Sequence, residues 1–118
     1  MIATPGRVAL VGTTVSPSAV AWIDDQLSMV AMMSADGHIS KCEISRGWLS
    51  GPAYVAQVVR VIGNRQRLVI LGPGDLRLEL EREYVALIRQ RPDRLVDVEP
   101  EGPVSFDQLV DRLTTLAA

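Results

Sequence analysis

The chain has 118 residues, of which 47% are hydrophobic and 22% charged, and its net charge is −2. These values are typical of one globular domain and argue against a disordered chain, a transmembrane helix or a strongly basic nucleic-acid binder. The only cysteine, Cys42, and the only histidine, His38, exclude an internal disulfide and a Cys/His zinc site. We therefore predict a cytoplasmic protein with no metal and no cofactor.

The N-terminal segment differs from the remainder in composition. Residues 1–18 hold one short apolar run, Val8 to Val11, among prolines, glycines and threonines. We predict that this segment is an N-terminal arm or an additional edge strand. The main domain is predicted to cover residues 19–118.

The first three predicted elements of the domain are all strands. Apolar or alternating patterns predict three of them, at 19–24, 28–34 and 38–44. The turn residues between them are Asp24-Asp25-Gln26 and Ala35-Asp36-Gly37. Such short connections predict an antiparallel meander.

After these three strands, helices alternate with strands. Ser50-Gly51-Pro52 starts a predicted helix over 52–63, and an apolar stripe follows at helical spacing. The run 67–71 reads as a strand buried on both faces, ended by Gly72-Pro73-Gly74. A helix over 75–90, a strand over 95–98 and a helix over 105–116 complete the chain.

Local patterns support these helices. Asp75 stands at the cap position of the helix over 75–90, whose predicted apolar face is Leu76, Leu80, Tyr84, Leu87 and Ile88. Ser105 and Gln108 form a capping-box pattern before the last helix. The order β-β-β-α-β-α-β-α predicts an α/β/α sandwich with a mixed central sheet, in which the strands at 67–71 and 95–98 are parallel neighbours.

The strand-to-helix turn is the first candidate binding site. Gly72, Pro73 and Gly74 precede a helix, whose free N–H groups attract anions. The turn lacks the longer glycine loop and the Lys-Ser/Thr ending of a P-loop. Asp75 at the helix start also opposes an anion, so a tight structural turn is the preferred interpretation.

Arginines form the second candidate. Residues 51–94 contain eight arginines and five acids, whereas residues 95–118 contain one arginine and five acids. Candidate binding residues are Arg60, Arg65 and Arg67 before and at the start of the central strand, and Arg77 beyond its end. These groups are predicted to lie at opposite ends of the sheet, and the acidic C-terminal segment favours a protein surface over RNA as the partner.

No catalytic residues are predicted. Asp24 and Asp25 are adjacent in sequence, and turn aspartates that bond nearby backbone are the preferred interpretation over a carboxylate pair. The two tryptophans, Trp22 and Trp48, are interpreted as a core residue and a surface anchor, because five aromatics do not suffice for a base-stacking platform.

Several segments together resemble a known bacterial family. They are Val20-Ala-Trp22-Ile23-Asp24, then Val69-Ile-Leu71-Gly72-Pro73-Gly74 with Arg77, Glu79 and Leu80, and finally Val98-Glu99 and Gln108-Leu109-Val110. This set resembles small single-domain proteins similar to the third domain of eukaryotic-type peptide-chain release factor 1 and Pelota. The resemblance covers about residues 19–116. Asp25 replaces the family's histidine, Arg77 its lysine, and Glu101-Gly102 its frequent Asp-His.

The resemblance implies a fold related to ribosomal L7Ae and a role that is not enzymatic. In release factors this domain docks a translational GTPase or the ribosome, and the Gly-Gly-Gln motif of another domain is absent here. It implies a ribosome- or factor-binding module, with stress or ribosome dormancy as its context. From the charge pattern and the absence of a long apolar run, we also predict RNA as a second partner class, and neither DNA nor membrane as a partner. The alternatives are a small-ligand or nucleotide domain that uses the Gly72–Asp75 turn, and a structural homo-oligomer subunit.

Overall fold

A computed structural model describes residues 17–88 and 95–117 of the chain. These residues form five strands and three helices: β1 (Ser18–Ile23), β2 (Leu27–Met33), β3 (Ile39–Ser45), α1 (Gly51–Ile62), β4 (Arg67–Gly72), α2 (Leu76–Ile88), β5 (Leu95–Pro100) and α3 (Phe106–Ala117). The predicted order of elements is confirmed. The predicted arm or edge strand at 1–18 lies almost entirely outside the described residues and stays a prediction.

The strands form one mixed sheet in the order β3-β2-β1-β4-β5. β1 pairs antiparallel with β2, and β2 antiparallel with β3, which is the predicted meander. β4 pairs parallel with β1 on one side and with β5 on the other. The prediction that the strands at 67–71 and 95–98 are parallel neighbours is therefore correct.

The two core layers are separated by the alternation of side chains along β1. Ala19, Ala21 and Ile23 pack with residues of α1 and α2, whereas Val20 and Trp22 pack with residues of α3. All six residues of β1 are buried, because helices cover both of its faces. The architecture is the predicted α/β/α sandwich.

Helices α1 and α2 together cover the first face. Their fully buried side chains include Tyr54 and Ile62 of α1 and Leu80 and Tyr84 of α2. The predicted apolar face of α2 is wrong at its end, since Leu87 is 55% exposed. Leu87 follows Tyr84 by three residues near the end of the helix, where packing on the sheet no longer buries it.

A single helix is enough for the second face because the outer strands place polar residues there. Leu109 and Leu113 of α3 pack on the apolar middle of this face. In the register of the sheet, Ala31 lies beside Lys41 of β3, and Val69 lies beside Asp97 of β5. The apolar band is therefore about one helix wide, with charged strands on either side.

Two of the three predicted helix starts are confirmed by their side-chain hydrogen bonds. Ser50 Oγ accepts from Ala53 N at 3.3 Å at the start of α1. Gln108 N donates to Ser105 Oγ at 3.2 Å, and Ser105 N donates to Gln108 Oε1 at 2.8 Å, which is a complete capping box. No helix in the described part of the chain is long and apolar enough to cross a membrane.

The burial of β4 generates the first testable prediction. Val69 is 2% exposed and lies beside Asp97, so Val69→Asp introduces a buried charge next to a like charge. Such a group costs several kcal/mol, a large part of the stability of a small domain. We expect no cooperative thermal transition by circular dichroism. The control Ala86→Asp, at an exposed position of α2, should leave the midpoint nearly unchanged; a normal midpoint for Val69→Asp would contradict the fold.

Candidate functional site

Four connections leave the sheet at one end. β1, β3, β4 and β5 run in the same direction, so their last residues meet at what we call the carboxyl end of the sheet. The connections that leave there are 24–26, 46–50, 73–75 and 101–105. In open α/β sheets, binding sites commonly form at this end.

The chain leaves β1 and β4 in opposite directions. After β1 it turns to β2, and after β4 it passes through α2 to β5 on the other side. Parallel neighbours whose connections diverge leave a crevice outside their carboxyl ends. A cleft of about 220 Å³ lies at this place, lined by Ile23, Asp24, Asp25, Pro73, Gly74, Asp75 and Leu76.

Two backbones approach each other closely next to this cleft. A Cβ atom added to Gly72 would lie 2.3 Å from the carbonyl oxygen of Ile23, which is a backbone atom. Only glycine therefore permits the last residues of β1 and β4 to lie at this separation. The carbonyl oxygen of Gly72 accepts from Glu101 N at 3.0 Å, so the same residue also holds the connection after β5.

The cleft is acidic. Asp24 has the predicted turn role, because its Oδ1 accepts from Gln26 N and from Leu27 N, each at 2.8 Å. The side chains of Asp25 and Asp75 are exposed at the rim. Three carboxylates around one cleft repel phosphate and attract positively charged groups.

A buried tyrosine supports the acidic turn from below. The hydroxyl of Tyr54 donates to the carbonyl oxygen of Asp24 at 3.0 Å and lies 2.6 Å from Ser28 Oγ. Burial raises the pKa of Tyr54, while the hydrogen bond with Ser28 lowers it. The hydroxyl therefore stays protonated, and it holds the end of β1 against α1.

Trp22 connects the cleft region to the loop after β5. This side chain is 4% exposed, and its Nε1 donates to Gly102 O at 2.9 Å and to Glu101 O at 3.3 Å. The predicted core role of Trp22 is correct. Its indole also positions the connection that leads into α3.

The predicted turn site lies at this end of the sheet. Gly72 ends β4, Pro73 and Gly74 are exposed at the rim, and Asp75 immediately precedes α2, with its carbonyl oxygen accepting from Leu78 N and Glu79 N. The guanidinium of Arg77 donates to Gly74 O. Arg77 therefore braces the turn from the first turn of α2.

The other predicted arginines lie at the opposite end of the sheet, and two of them bond helix ends. Arg65 Nε donates to Ile62 O, the last carbonyl of α1, at 2.8 Å, and Nη1 lies 3.4 Å from Met33 O. Arg67 Nη1 donates to Leu116 O in the last turn of α3 at 2.7 Å. Burial lowers the pKa of Arg65. Arg60 is exposed in the last turn of α1. Binding by these residues stays a prediction.

One residue at the carboxyl end was not predicted. Arg46 N donates to Gln26 O at 2.9 Å, and its Nη1 lies 3.3 Å from Asp25 O, so it joins the loop after β3 to the cleft turn. Its only sequence signal is its place beside Gly47.

Among residues 17–88 and 95–117, no three His, Cys, Asp or Glu side chains are grouped in a way that could hold a metal ion.

The close contact at Gly72 is testable with a matched pair of substitutions. Gly72→Ala forces a Cβ against a backbone oxygen and should lower the free energy of unfolding by about 1–3 kcal/mol, the usual cost of overpacking. Gly74→Ala meets no atom within 4 Å and should change it by less than about 0.5 kcal/mol. Urea denaturation measures both values. Equal midpoints for the two variants would show that β1 and β4 are not this close.

The capping role of Arg65 is tested against Arg60. Arg65→Ala removes charge-assisted hydrogen bonds to Ile62 O and Met33 O, and should cost about 2 kcal/mol of stability. Arg60→Ala, at an exposed position in the last turn of α1, should cost less than about 0.5 kcal/mol. Chemical denaturation measures the free energy of unfolding of both variants. A neutral Arg65→Ala would show that this side chain does not stabilise the end of α1.

Two archaeal proteins of known structure share this fold. Pelota of Archaeoglobus fulgidus superimposes with a TM-score of 0.60 at 16% identity, over 92% of this chain and 34% of its own. Pelota of Thermoplasma acidophilum does so with a TM-score of 0.59 at 19% identity, over 98% of this chain and 38% of its own. No protein-family model and no curated protein matches the chain. The chain thus spans little more than a third of these two proteins, and its fold is similar to that of a Pelota domain, as its sequence motifs predicted.

Proposed function

We propose that this chain is a non-catalytic interaction module of the translation machinery, which acts in the cytoplasm by binding the ribosome or a translation factor. The observation that carries the proposal is the fold similarity to two Pelota proteins over nearly the whole chain. The motifs at Val20–Asp24 and Val69–Gly74 support the same assignment, because they contain most of β1 and β4, the strands that pair at the centre of the sheet.

The chemistry of the carboxyl end is that of a binding surface. Its cleft has acidic groups and an apolar lining, and the residues that hold its shape are tied into hydrogen bonds with backbone atoms. The same charges disfavour the alternative of a nucleotide site at the Gly72–Asp75 turn, since a phosphate there would face three carboxylates. The proposal includes a role in stress or ribosome dormancy, and only the family resemblance supports that part.

Co-sedimentation tests the proposal. The full chain, added to an extract of its own host, should enter the ribosomal pellet or capture a translation factor identified by mass spectrometry. An unrelated α/β domain of similar size and charge is the control. Enrichment of no ribosomal or translation protein over that control would contradict the proposal.

Two further measurements separate the alternatives. Shifts of the Gly72 and Gly74 amide signals on addition of ATP, GTP or phosphate would favour the small-ligand hypothesis. Light scattering over a dilution series would reveal a homo-oligomer. We expect neither a ligand-dependent shift nor a concentration-dependent mass.

A further inference from the structure

The most exposed apolar side chain of the described residues lies at the carboxyl end. Trp48, in the connection between β3 and α1, is fully exposed, whereas Ile39, Leu78 and Leu87 retain partial contacts. A free indole of this size leaves a large apolar area in water, which a partner can cover. Tryptophan is also among the residues most enriched at the energetic centres of protein interfaces.

The turn that presents Trp48 is fixed by its own hydrogen bonds. Leu49 N donates to Arg46 O at 3.1 Å, and Arg46 Nε donates to Leu49 O at 2.9 Å, so the turn is closed twice. Gly47 has φ of 56°, a left-handed conformation that glycine adopts without strain. Leu49 packs against the core. The indole is therefore held out on a rigid support, which reduces the entropy lost when a partner binds.

The same turn is attached to the acidic cleft. The backbone N of Arg46 donates to Gln26 O, while its guanidinium donates to Asp25 O and lies 5.7 Å from the centre of the Tyr54 ring. The positive charge of Arg46 is thus directed inward onto the fold. Trp48 and the cleft belong to one continuous, braced end of the molecule.

Negative charge dominates this end. The four connections there carry four carboxylates and one arginine: Asp24, Asp25, Asp75 and Glu101, with Arg46. The nearest other cation along the chain, Arg77, donates to Gly74 O at the base of the turn. A partner that covers Trp48 therefore enters a negative field, which attracts lysine and arginine and repels phosphate.

We infer that the carboxyl end of the sheet binds an arginine- or lysine-containing segment of a partner protein, with Trp48 as the apolar anchor. A guanidinium or an alkyl-ammonium chain stacks on the indole face, and neighbouring cationic side chains pair with Asp25 and Asp75. This inference rests on the proposed function and names the chemistry of the partner. Arginine suits the site best, since its planar group stacks on an aromatic ring and pairs with carboxylates.

A nuclear magnetic resonance titration of the full chain tests the inference. The probe is a synthetic peptide of alternating arginine and alanine, at low salt, and the comparison is its counterpart with glutamate in place of arginine. The arginine peptide should shift the indole N–H signal of Trp48 and the amides of Asp25 and Gly74. The amide of Leu87, near the other end of α2, serves as an internal reference and should not move.

Matched variants locate the contact. Trp48→Ala should weaken binding of the arginine peptide about tenfold, the loss expected for a truncated anchor. Leu87→Ala, which removes another exposed apolar side chain far along α2, should leave affinity unchanged. The double substitution Asp25→Asn and Asp75→Asn should weaken binding and reduce its dependence on salt. Thermal midpoints confirm that each variant is folded.

Several results would overturn the inference. They are the absence of any shift with the arginine peptide, equal shifts with the glutamate peptide, and unchanged affinity in Trp48→Ala. Shifts of Trp48 with oligouridylate in place of the peptide would identify RNA as the ligand. Shifts on concentrating the chain alone, abolished by Trp48→Ala, would identify a second copy.

Failure of this inference is distinguishable from failure of the proposed function. If Trp48→Ala sediments with ribosomes as the wild type does, the translation role stands and the docking site lies elsewhere. If the arginine peptide binds at Trp48 while no translation component is captured, the docking chemistry stands and the translation role fails.

Discussion

The parallel pairing of β1 with β4 is the contact on which the rest of the structure depends. It joins the antiparallel meander formed by β1, β2 and β3 to the part of the chain in which helices alternate with strands. Beyond the last pair, Trp22 with Leu71, the two backbones stay close because Gly72 offers no Cβ to the carbonyl oxygen of Ile23. Since the chain leaves the two strands in opposite directions, the same contact also creates the cleft.

The sheet and the helix starts were predictable because their signals are local. A run such as 67–71, apolar without alternation, indicates burial on both faces, and β4 is indeed buried from Leu68 onward. The spacing of Ser105 and Gln108 forms its two hydrogen bonds within one turn of helix. The opposite environments of Trp22 and Trp48 followed from their neighbours in the sequence, one in a strand and one in a glycine turn.

The roles of the arginines were not predictable, because they depend on which helix end the fold brings near each side chain. Arg65 bonds the end of α1, which lies just before it in the sequence, but Arg67 bonds Leu116, which is 49 residues away in the sequence. Nothing in the charge pattern separates these residues from Arg60, which is exposed. The cleft was missed for the same reason. Asp25 and Asp75 belong to different halves of the chain and meet only when β1 and β4 pair.

The attachment of α3 affects the order in which parts of the protein unfold. The loop before this helix is held by Trp22 of β1, and its last turn is held by Arg67 of β4, so the two central strands secure it at both ends. Its removal would uncover the whole apolar band of one sheet face. Local fraying of α3 is therefore coupled to global unfolding. Amide hydrogens in its middle, near Leu109 and Leu113, should exchange with solvent only as fast as those of β1 and β4, although the helix lies at the end of the chain.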